Sequence, residues 1–94
     1  MAKAIWKNNV IAESNTYEII DRNIFFPPNK VNKKFLRHND YHTTCIYKGR
    51  ASYYDVVINK AVNRNAALYY PHPKKGFEKI TNYIAFRHGI EVIQ

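Results

Sequence analysis

The sequence is poor in cysteine, in acidic residues and in long apolar runs. Its 94 residues include one cysteine, Cys45, so no disulfide can form within the chain. This favours a reducing, cytoplasmic setting. No apolar stretch approaches the roughly 20 residues of a membrane-spanning helix, and the N-terminal residues lack the continuous apolar core of a secretory signal. We therefore expect no membrane partner.

The shortage of acids leaves a strongly basic chain. Fifteen Lys and Arg face seven Asp and Glu, which gives a formal net charge of +8. Such a charge favours anionic partners, including nucleotides and nucleic acid. The basic residues are scattered, however, and their two densest groups lie at Lys30–Arg37 and Lys74–Lys79. A solvated basic surface is the simpler interpretation of this pattern.

Aromatic residues are abundant. The chain holds eight Tyr, five Phe and one Trp, side chains that suit pleated, half-buried strands. The length and the 46% share of hydrophobic residues are typical of one folded unit, so we expect a single domain over residues 1–94.

Short apolar segments alternate with turn residues along most of the chain. Asn8-Asn9 separates the strands of a first hairpin, and Lys48-Gly49-Arg50 separates those of a second. The C-terminal segments on either side of Gly89 read as a last hairpin. This pattern predicts an all-β, mainly antiparallel fold, as a two-sheet sandwich or a barrel.

One segment has a helical pattern instead. In residues 29–40, Val31, Phe35 and Leu36 fall on one face, and Asn29 is a suitable N-cap. We predict one short helix of about two turns, which would need to dock on the sheet to be stable.

The stretch from Thr43 to Ile58 combines the cysteine with Tyr53-Tyr54 and Asp55. Successive strand residues point to opposite faces, so each Tyr-Tyr pair sends one ring to each side. Any single ring is explained by core packing, but together the rings and nearby polar groups suit an apolar pocket with a few directional contacts. The candidate ligand-binding residues are Trp6, Cys45, Lys48, Arg50, Tyr53, Tyr54, Asp55, Tyr70 and His72.

These residues receive distinct predicted roles. Trp6, Tyr54 and Tyr70 form the walls of an aromatic-lined cleft. Lys48 and Arg50 attract negative charge, and either Asp55 or His72 orients the ligand. His72 lies between two prolines, which hold the loop extended.

Catalytic and metal-binding alternatives have less support. Nucleotidyl transfer usually needs clustered carboxylates that hold Mg²⁺, and the chain has neither a D-x-D pair nor a phosphate-binding glycine loop. His42 and Cys45 have the H-x₂-C spacing of half a metal site, but strand alternation places them on opposite faces. We predict no metal. Cys45 would act as a nucleophile only if Lys48 or His42 lowered its pKa; otherwise it is a small core side chain.

Several short motifs occur in a characteristic order. They include Ala4-Ile5-Trp6, the stretch from Cys45 through Lys48-Gly49 to Asp55, and the run Ala66–Pro73. The chain resembles a small bacterial and fungal family, domain of unknown function number four-two-seven, which also carries a nucleotidyltransferase label. The resemblance implies a β-tent, in which two sheets meet at an angle over a shared cleft, and it implies nucleotidyl transfer as an activity.

The predicted function is therefore binding of a small planar ligand, with an anion favoured, in an aromatic-lined cleft. A nucleotidyltransferase is the alternative from the resemblance, although no catalytic motif is recognisable. A single-stranded nucleic-acid-binding accessory protein is a further alternative, since such proteins stack bases on aromatic rings over a basic groove. The sequence identifies no cofactor, and it leaves open a monomer or a homodimer paired through an edge strand.

Overall fold

The computed structural model describes residues 1–94 as nine strands and three short 3₁₀ turns. The strands are β1 (Ala2–Trp6), β2 (Asn9–Ser14), β3 (Glu18–Ile20), β4 (Asn23–Phe25), β5 (Leu36–Cys45), β6 (Gly49–Ile58), β7 (Ala61–Tyr69), β8 (Ile84–Phe86) and β9 (Glu91–Ile93). The 3₁₀ turns are Pro28–Lys30, Lys33–Phe35 and Glu78–Ile80. None of the helical segments has the length and apolar character needed to cross a membrane.

The strands form three sheets, and every strand pairing within them is antiparallel. One sheet has the order β2-β1-β9, a second is the β3-β4 hairpin, and the largest has the order β5-β6-β7-β8. The mainly antiparallel β prediction is confirmed. The β3-β4 hairpin, however, forms a separate small sheet, so the structure has three sheets where two were expected.

The helix predicted over residues 29–40 is wrong. Two 3₁₀ turns of three residues each occupy its first part, and from Leu36 the chain is extended in β5. Leu36 lies opposite Val56 in the β5–β6 register, so this residue of the predicted apolar helix face belongs to a strand. A two-turn helix is marginal by itself, whereas the ten-residue strand β6 offers this segment a long hydrogen-bonded ladder. The ladder wins.

The predicted C-terminal hairpin is also wrong. Strand β8 pairs with β7 and strand β9 pairs with β1, so the two belong to different sheets. Between them His88 and Gly89 both adopt positive φ, of 58° and 84°. Gly89 takes this conformation without the steric cost that a side chain would add. The turn thus redirects the chain from the four-stranded to the three-stranded sheet.

The N-terminal hairpin is present, with its turn one residue earlier than predicted. Lys7 and Asn8 carry the positive φ values, 52° and 60°, that a tight two-residue hairpin turn requires. The β3–β4 turn has the same conformation, since Asp21 and Arg22 also have positive φ values, of 52° and 70°. This second turn presents the Asp21 side chain to solvent.

The four-stranded sheet buries both of its faces. We call the inner face the one that packs on the three-stranded sheet through Tyr54, Val56, Ala67, Tyr69 and Phe86. We call the outer face the one whose apolar residues pack under the β3–β4 hairpin and the 77–83 segment. Its members include Ala51, Tyr53, Leu68, Tyr70 and Ala85. Neighbouring residues of β6, such as Tyr53 and Tyr54, therefore enter different cores.

Candidate functional site

Lys48 lies in the turn between β5 and β6 and is nearly buried. Its Nζ lies 2.8 Å from Asp21 Oδ2, with 12% of the Lys48 side chain exposed against 72% of the Asp21 side chain. Burial is the largest single influence and lowers the pKa of Lys48, but the hydrogen bond to Asp21 and the nearby charges of Tyr70, Asp21 and Cys45 together outweigh it and leave the pKa raised. Lys48 is therefore a sheltered, permanently charged ammonium whose one ion-pair partner faces solvent.

Tyr70 lies beside this ammonium. Its ring is buried against Phe25, with the ring centroids 6.3 Å apart. Burial raises the pKa of its hydroxyl, and the nearby Lys48 charge opposes that rise. The Tyr70 hydroxyl makes no hydrogen bond within the protein. Every fully buried polar side-chain atom has a hydrogen-bond partner, so the Tyr70 hydroxyl is accessible to solvent. It is a free donor and acceptor next to a cation.

Cys45 ends β5 and lies opposite Gly49 in the register, so its thiol sits at the same turn. The backbone N–H of Lys48 lowers the pKa of Cys45 below its ordinary value of 9.0, with burial opposing the effect. The thiol is free and half-buried. It adds a polarisable, partly ionisable group to the surroundings of Lys48.

The loop that carries His72 closes one side of this region. The backbone N–H of Lys74 donates to the Lys48 carbonyl at 2.9 Å. Gly49 has φ of +112°, and a Cβ added there would lie 3.3 Å from the His72 carbonyl oxygen. Glycine at this position therefore serves both the turn conformation and the close approach of the loop, which leaves the His72 side chain exposed at the rim.

Tyr53 extends the polar region along the outer face. Its hydroxyl shares a hydrogen bond with the Thr43 hydroxyl at 2.9 Å, and its ring packs edge-on against Tyr41 with centroids 4.8 Å apart. The Arg87 guanidinium lies over the same ring, 4.8 Å from its centroid. Tyr53 thus belongs both to the Lys48 region and to a second polar group around Asp55.

Asp55 is the centre of that second group. Arg37 Nη2 donates to its Oδ2 at 2.8 Å, while Asn39 Nδ2 and the Asn65 backbone N–H donate to its Oδ1 at 2.8 and 3.0 Å. Burial raises the pKa of Asp55, but these hydrogen bonds outweigh burial and hold the pKa below its ordinary value. A buried carboxylate with three donors is stable in its charged form.

Two predicted aromatic residues lie elsewhere. Trp6 and Tyr54 are half-buried at the inner core. Tyr54 stacks on Tyr69 with ring centroids 4.9 Å apart, and the centroid of the His38 ring lies 4.8 Å from that of Tyr54. Burial, reinforced by Tyr69, raises the pKa of Tyr54 to about 12. These rings are packing partners within the inner core.

The structure therefore brings together some of the predicted residues and separates others. Cys45, Lys48, Tyr53 and Tyr70 share the outer face, whereas Trp6 and Tyr54 lie on the inner side. No ligand-sized pocket lies in the surface, so the rings do not enclose the predicted cleft as a preformed cavity. The physical reason is the alternation of β6, which sends neighbouring tyrosines to opposite sides.

The possible metal ligands are dispersed. No group of three or more His, Cys, Asp or Glu residues is arranged to hold a metal ion. His42 Nδ1 lies 3.2 Å from Ser52 Oγ and 3.3 Å from the Ala51 carbonyl oxygen. His42 is paired with Ser52 across the two strands. Thr43 and Cys45 occupy the alternate positions of β5 and therefore point to the other face of the sheet. Strand alternation thus separates His42 from the thiol, as the sequence predicts.

Sequence reasoning missed several residues that complete these groups. Asp21 is not among the predicted ligand-binding residues, and Arg37 lies within the segment predicted as a helix. Asn65 and Arg87 gave no local signal, because their roles depend on pairing between distant strands. The structure nevertheless defines a class, a small antiparallel β protein with a net positive charge and with tyrosines packed on both faces of its largest sheet.

The chain belongs to the family described as Domain of unknown function (DUF427), whose model matches residues 1–93. The family's short label is that of a nucleotidyltransferase, while its description assigns no function. No curated protein matches the chain significantly.

Proposed function

We propose that the protein binds a small, planar, anionic ligand at the Lys48 site, which comprises Lys48, Asp21, Cys45, Tyr53 and Tyr70. One observation carries the proposal. The sheltered Lys48 ammonium is paired only with the exposed Asp21 carboxylate, and the Tyr70 hydroxyl beside it has no protein partner. A cation and a free hydroxyl on a largely apolar surface are the directional groups that a small-molecule site needs.

When no ligand is bound, the Asp21 side chain fills the anion position of the site. The Asp21 carboxylate pairs with Lys48 as an anionic ligand would. Asp21 belongs to the two-residue turn between β3 and β4. The ligand anion displaces Asp21 and pairs with Lys48, and its planar part then lies against the Tyr70 side of the turn. Arg50 and His72, both exposed near this turn, are the rim residues that contact the ligand's outer edge.

Thermal unfolding with AMP and with nicotinate tests this proposal, since both combine a planar ring with an anion. A ligand that binds only the folded protein stabilises it by roughly 2.7 kcal/mol at about 100 times its Kd. We expect Lys48→Gln to abolish the rise in Tm and Asp21→Asn to increase it, because the competing carboxylate is removed. The matched control is Lys60→Gln, an exposed lysine at the opposite end of β6, which leaves the rise unchanged.

Two outcomes would contradict the proposal. If neither ligand raises the Tm of the wild-type protein or of Asp21→Asn, the Lys48 site does not bind planar anions. If Lys60→Gln weakens the effect as much as Lys48→Gln, the binding reflects the overall +8 charge. Circular dichroism of each variant confirms that it remains folded.

The family label favours nucleotidyl transfer as a second candidate. It is distinguished by adding ATP with and without Mg²⁺. Metal-dependent consumption of ATP that Lys48→Gln removes supports a transferase, and metal-independent stabilisation supports a binding protein. Binding to a single-stranded oligonucleotide that falls steeply with salt would instead support the nucleic-acid alternative.

The setting and assembly state also remain proposals. The single free thiol supports a reducing, cytoplasmic location. Strand β5 pairs only with β6, which leaves its other edge available to a second copy. Its register shift between His38 and His42 disfavours long pairing there, so we propose a monomer.

A further inference from the structure

A second group of polar residues on the outer face adjoins the Lys48 site at Tyr53, whose ring lies under the Arg87 guanidinium. We call it the arginine network; it comprises Arg37, Asn39, Asp55, Asn65 and Arg87. Asn39 Nδ2 donates to both Asp55 Oδ1 and Asn65 Oδ1, at 2.8 and 2.9 Å. The network joins four strands or their ends through one continuous chain of hydrogen bonds.

Asp55 holds Arg37 in position. The carboxylate side chain is 7% exposed and accepts three hydrogen bonds, whereas the Arg37 side chain is 52% exposed. Arg37 uses one terminal nitrogen, Nη2, for this contact at 2.8 Å. The other N–H groups of Arg37 make no hydrogen bond within the protein, and the contact with Asp55 holds the guanidinium in place.

Arg87 is fixed in a different way. Its Nε donates to the Asn65 carbonyl at 2.9 Å, and its guanidinium lies over the Tyr53 ring. Asn65 adopts φ of 54° at the irregularity in the β6–β7 pairing, which turns its carbonyl toward Arg87. The two terminal amino groups of Arg87 make no hydrogen bond or ion pair within the chain.

The charges of the network do not balance. The network contains two guanidinium groups and one carboxylate, and that carboxylate already accepts from Arg37, Asn39 and Asn65 and makes no hydrogen bond or ion pair with Arg87. Free, oriented guanidinium N–H groups match the oxygens of a phosphate in a bidentate arrangement. Tyr41, an exposed aromatic residue in edge-on contact with Tyr53, borders the same surface.

We propose that the arginine network is a phosphate-binding site, with Arg87 and Arg37 as the oriented donors and Asp55 as the residue that positions Arg37. The ligand is a phosphate group, either free or carried on a larger molecule. This site uses different cations from the Lys48 site, so it goes beyond the function proposed above.

The test is an NMR titration of the full chain with inorganic phosphate at constant ionic strength, followed at the arginine Nε–H signals and the tyrosine rings. We expect saturable shifts at Arg87 Nε–H and at Tyr53. Arg87→Gln should weaken binding about tenfold or more, and Arg87→Lys should also weaken it, because lysine keeps the charge but loses the planar fork. Titration with phenyl phosphate separates the two sources, since tighter binding than that of inorganic phosphate indicates a phosphate carried on a larger molecule.

Arg64→Gln is the matched control. Arg64 is an exposed arginine next to Asn65 in sequence, and its side chain takes no part in the network. Shifts that do not saturate, equal weakening by Arg64→Gln, or full retention of binding in Arg87→Lys would each overturn the proposal. The test does not depend on a variant of Arg37, whose removal would leave the buried Asp55 carboxylate without its charged partner.

The two sites can fail independently. Lys48→Gln should leave the phosphate shifts at Arg87 intact, and Arg87→Gln should leave the nicotinate stabilisation intact. Loss of phosphate binding in Lys48→Gln would show that the phosphate occupies the Lys48 site, and it would overturn the arginine assignment.

Discussion

On the inner face of the four-stranded sheet, Val56, Ala67 and Phe86 pack against the alanines and isoleucine of the β1–β2 hairpin. On the outer face, Tyr53 and Tyr70 share their burial with Asp55 and Lys48, which carry charge. Both faces bury apolar side chains, but only the outer face also holds the ion pairs of Lys48 and Asp55.

The difference between the faces shows where stability and function are divided. Apolar burial is non-directional and scales with area, so the inner face stabilises the fold without selecting a ligand. Buried polar groups contribute little net free energy but fix geometry, because each must keep its partner. The outer face is therefore where oriented cations and hydroxyls are found.

The largest effect that sharpens this comparison is expected at Phe26. Its side chain is fully buried in the inner core and packs edge-on against Phe86, with centroids 5.8 Å apart. Phe26→Ala should lower the free energy of unfolding by roughly 3–5 kcal/mol, through lost burial and the cavity left behind. Urea denaturation measures the loss. Ile46→Ala, at an exposed turn residue, is the control, and a similar cost in both variants would break the comparison.

A smaller, pH-dependent effect is expected at Asp55. Asp55→Asn should cost roughly 1–3 kcal/mol at pH 7, because the charged hydrogen bonds of Arg37 and Asn39 lose their acceptor. The pKa of Asp55 is lower in the folded protein than its ordinary 3.8. Its contribution is therefore complete above pH 3.8 and is lost as pH falls through the folded value.

Urea denaturation at several pH values between 7 and 2.5 checks this prediction. The difference between wild type and Asp55→Asn should be constant at neutral pH and should shrink in acid. Glu13→Gln, which removes an exposed pair with Lys3, should change stability by no more than about 0.5 kcal/mol. A difference that grows in acid would show that folding raises the pKa of Asp55 and does not lower it.

The smallest effect concerns the reactivity of Cys45. Its pKa is below 9.0, with the backbone N–H of Lys48 as the main cause. The rate of alkylation by iodoacetamide should therefore reach its midpoint below pH 9.0 in the folded protein and near 9.0 in urea. Because the main donor is backbone, Lys48→Gln should keep most of the difference. A midpoint above 9.0 would show that burial, not the turn, controls the thiol.

Local patterns predicted the strands well where turn chemistry and alternation agreed. The Asn8 turn follows from the tolerance of Asn for positive φ, and the β6 alternation around Tyr53 and Tyr54 follows from the two-residue strand period. The helix over residues 29–40 failed because apolar spacing at Val31 and Phe35 fits a helix locally. Only the presence of β6 as a partner makes the extended form more stable.

The candidate site shows the same division. Lys48 was predicted to attract negative charge and Tyr70 to form a wall of the cleft, and the structure places the two close enough that the Lys48 charge opposes the rise that burial causes in the pKa of Tyr70. Asp21, by contrast, reaches Lys48 from a separate small sheet, and no spacing in the sequence connects the two. The Asp55 network also depends on a long-range irregularity in pairing at Asn65.

The sequence by itself determined an antiparallel β protein with a basic surface and with tyrosines directed to both sides of its longest strands. These properties follow from side-chain chemistry and from the alternation of the extended backbone, which act over a few residues. Only the tertiary structure decided that Lys48 meets Asp21 and that Asp55 fixes Arg37. Such contacts join residues far apart in the chain, and their energies exist only once the sheets have packed.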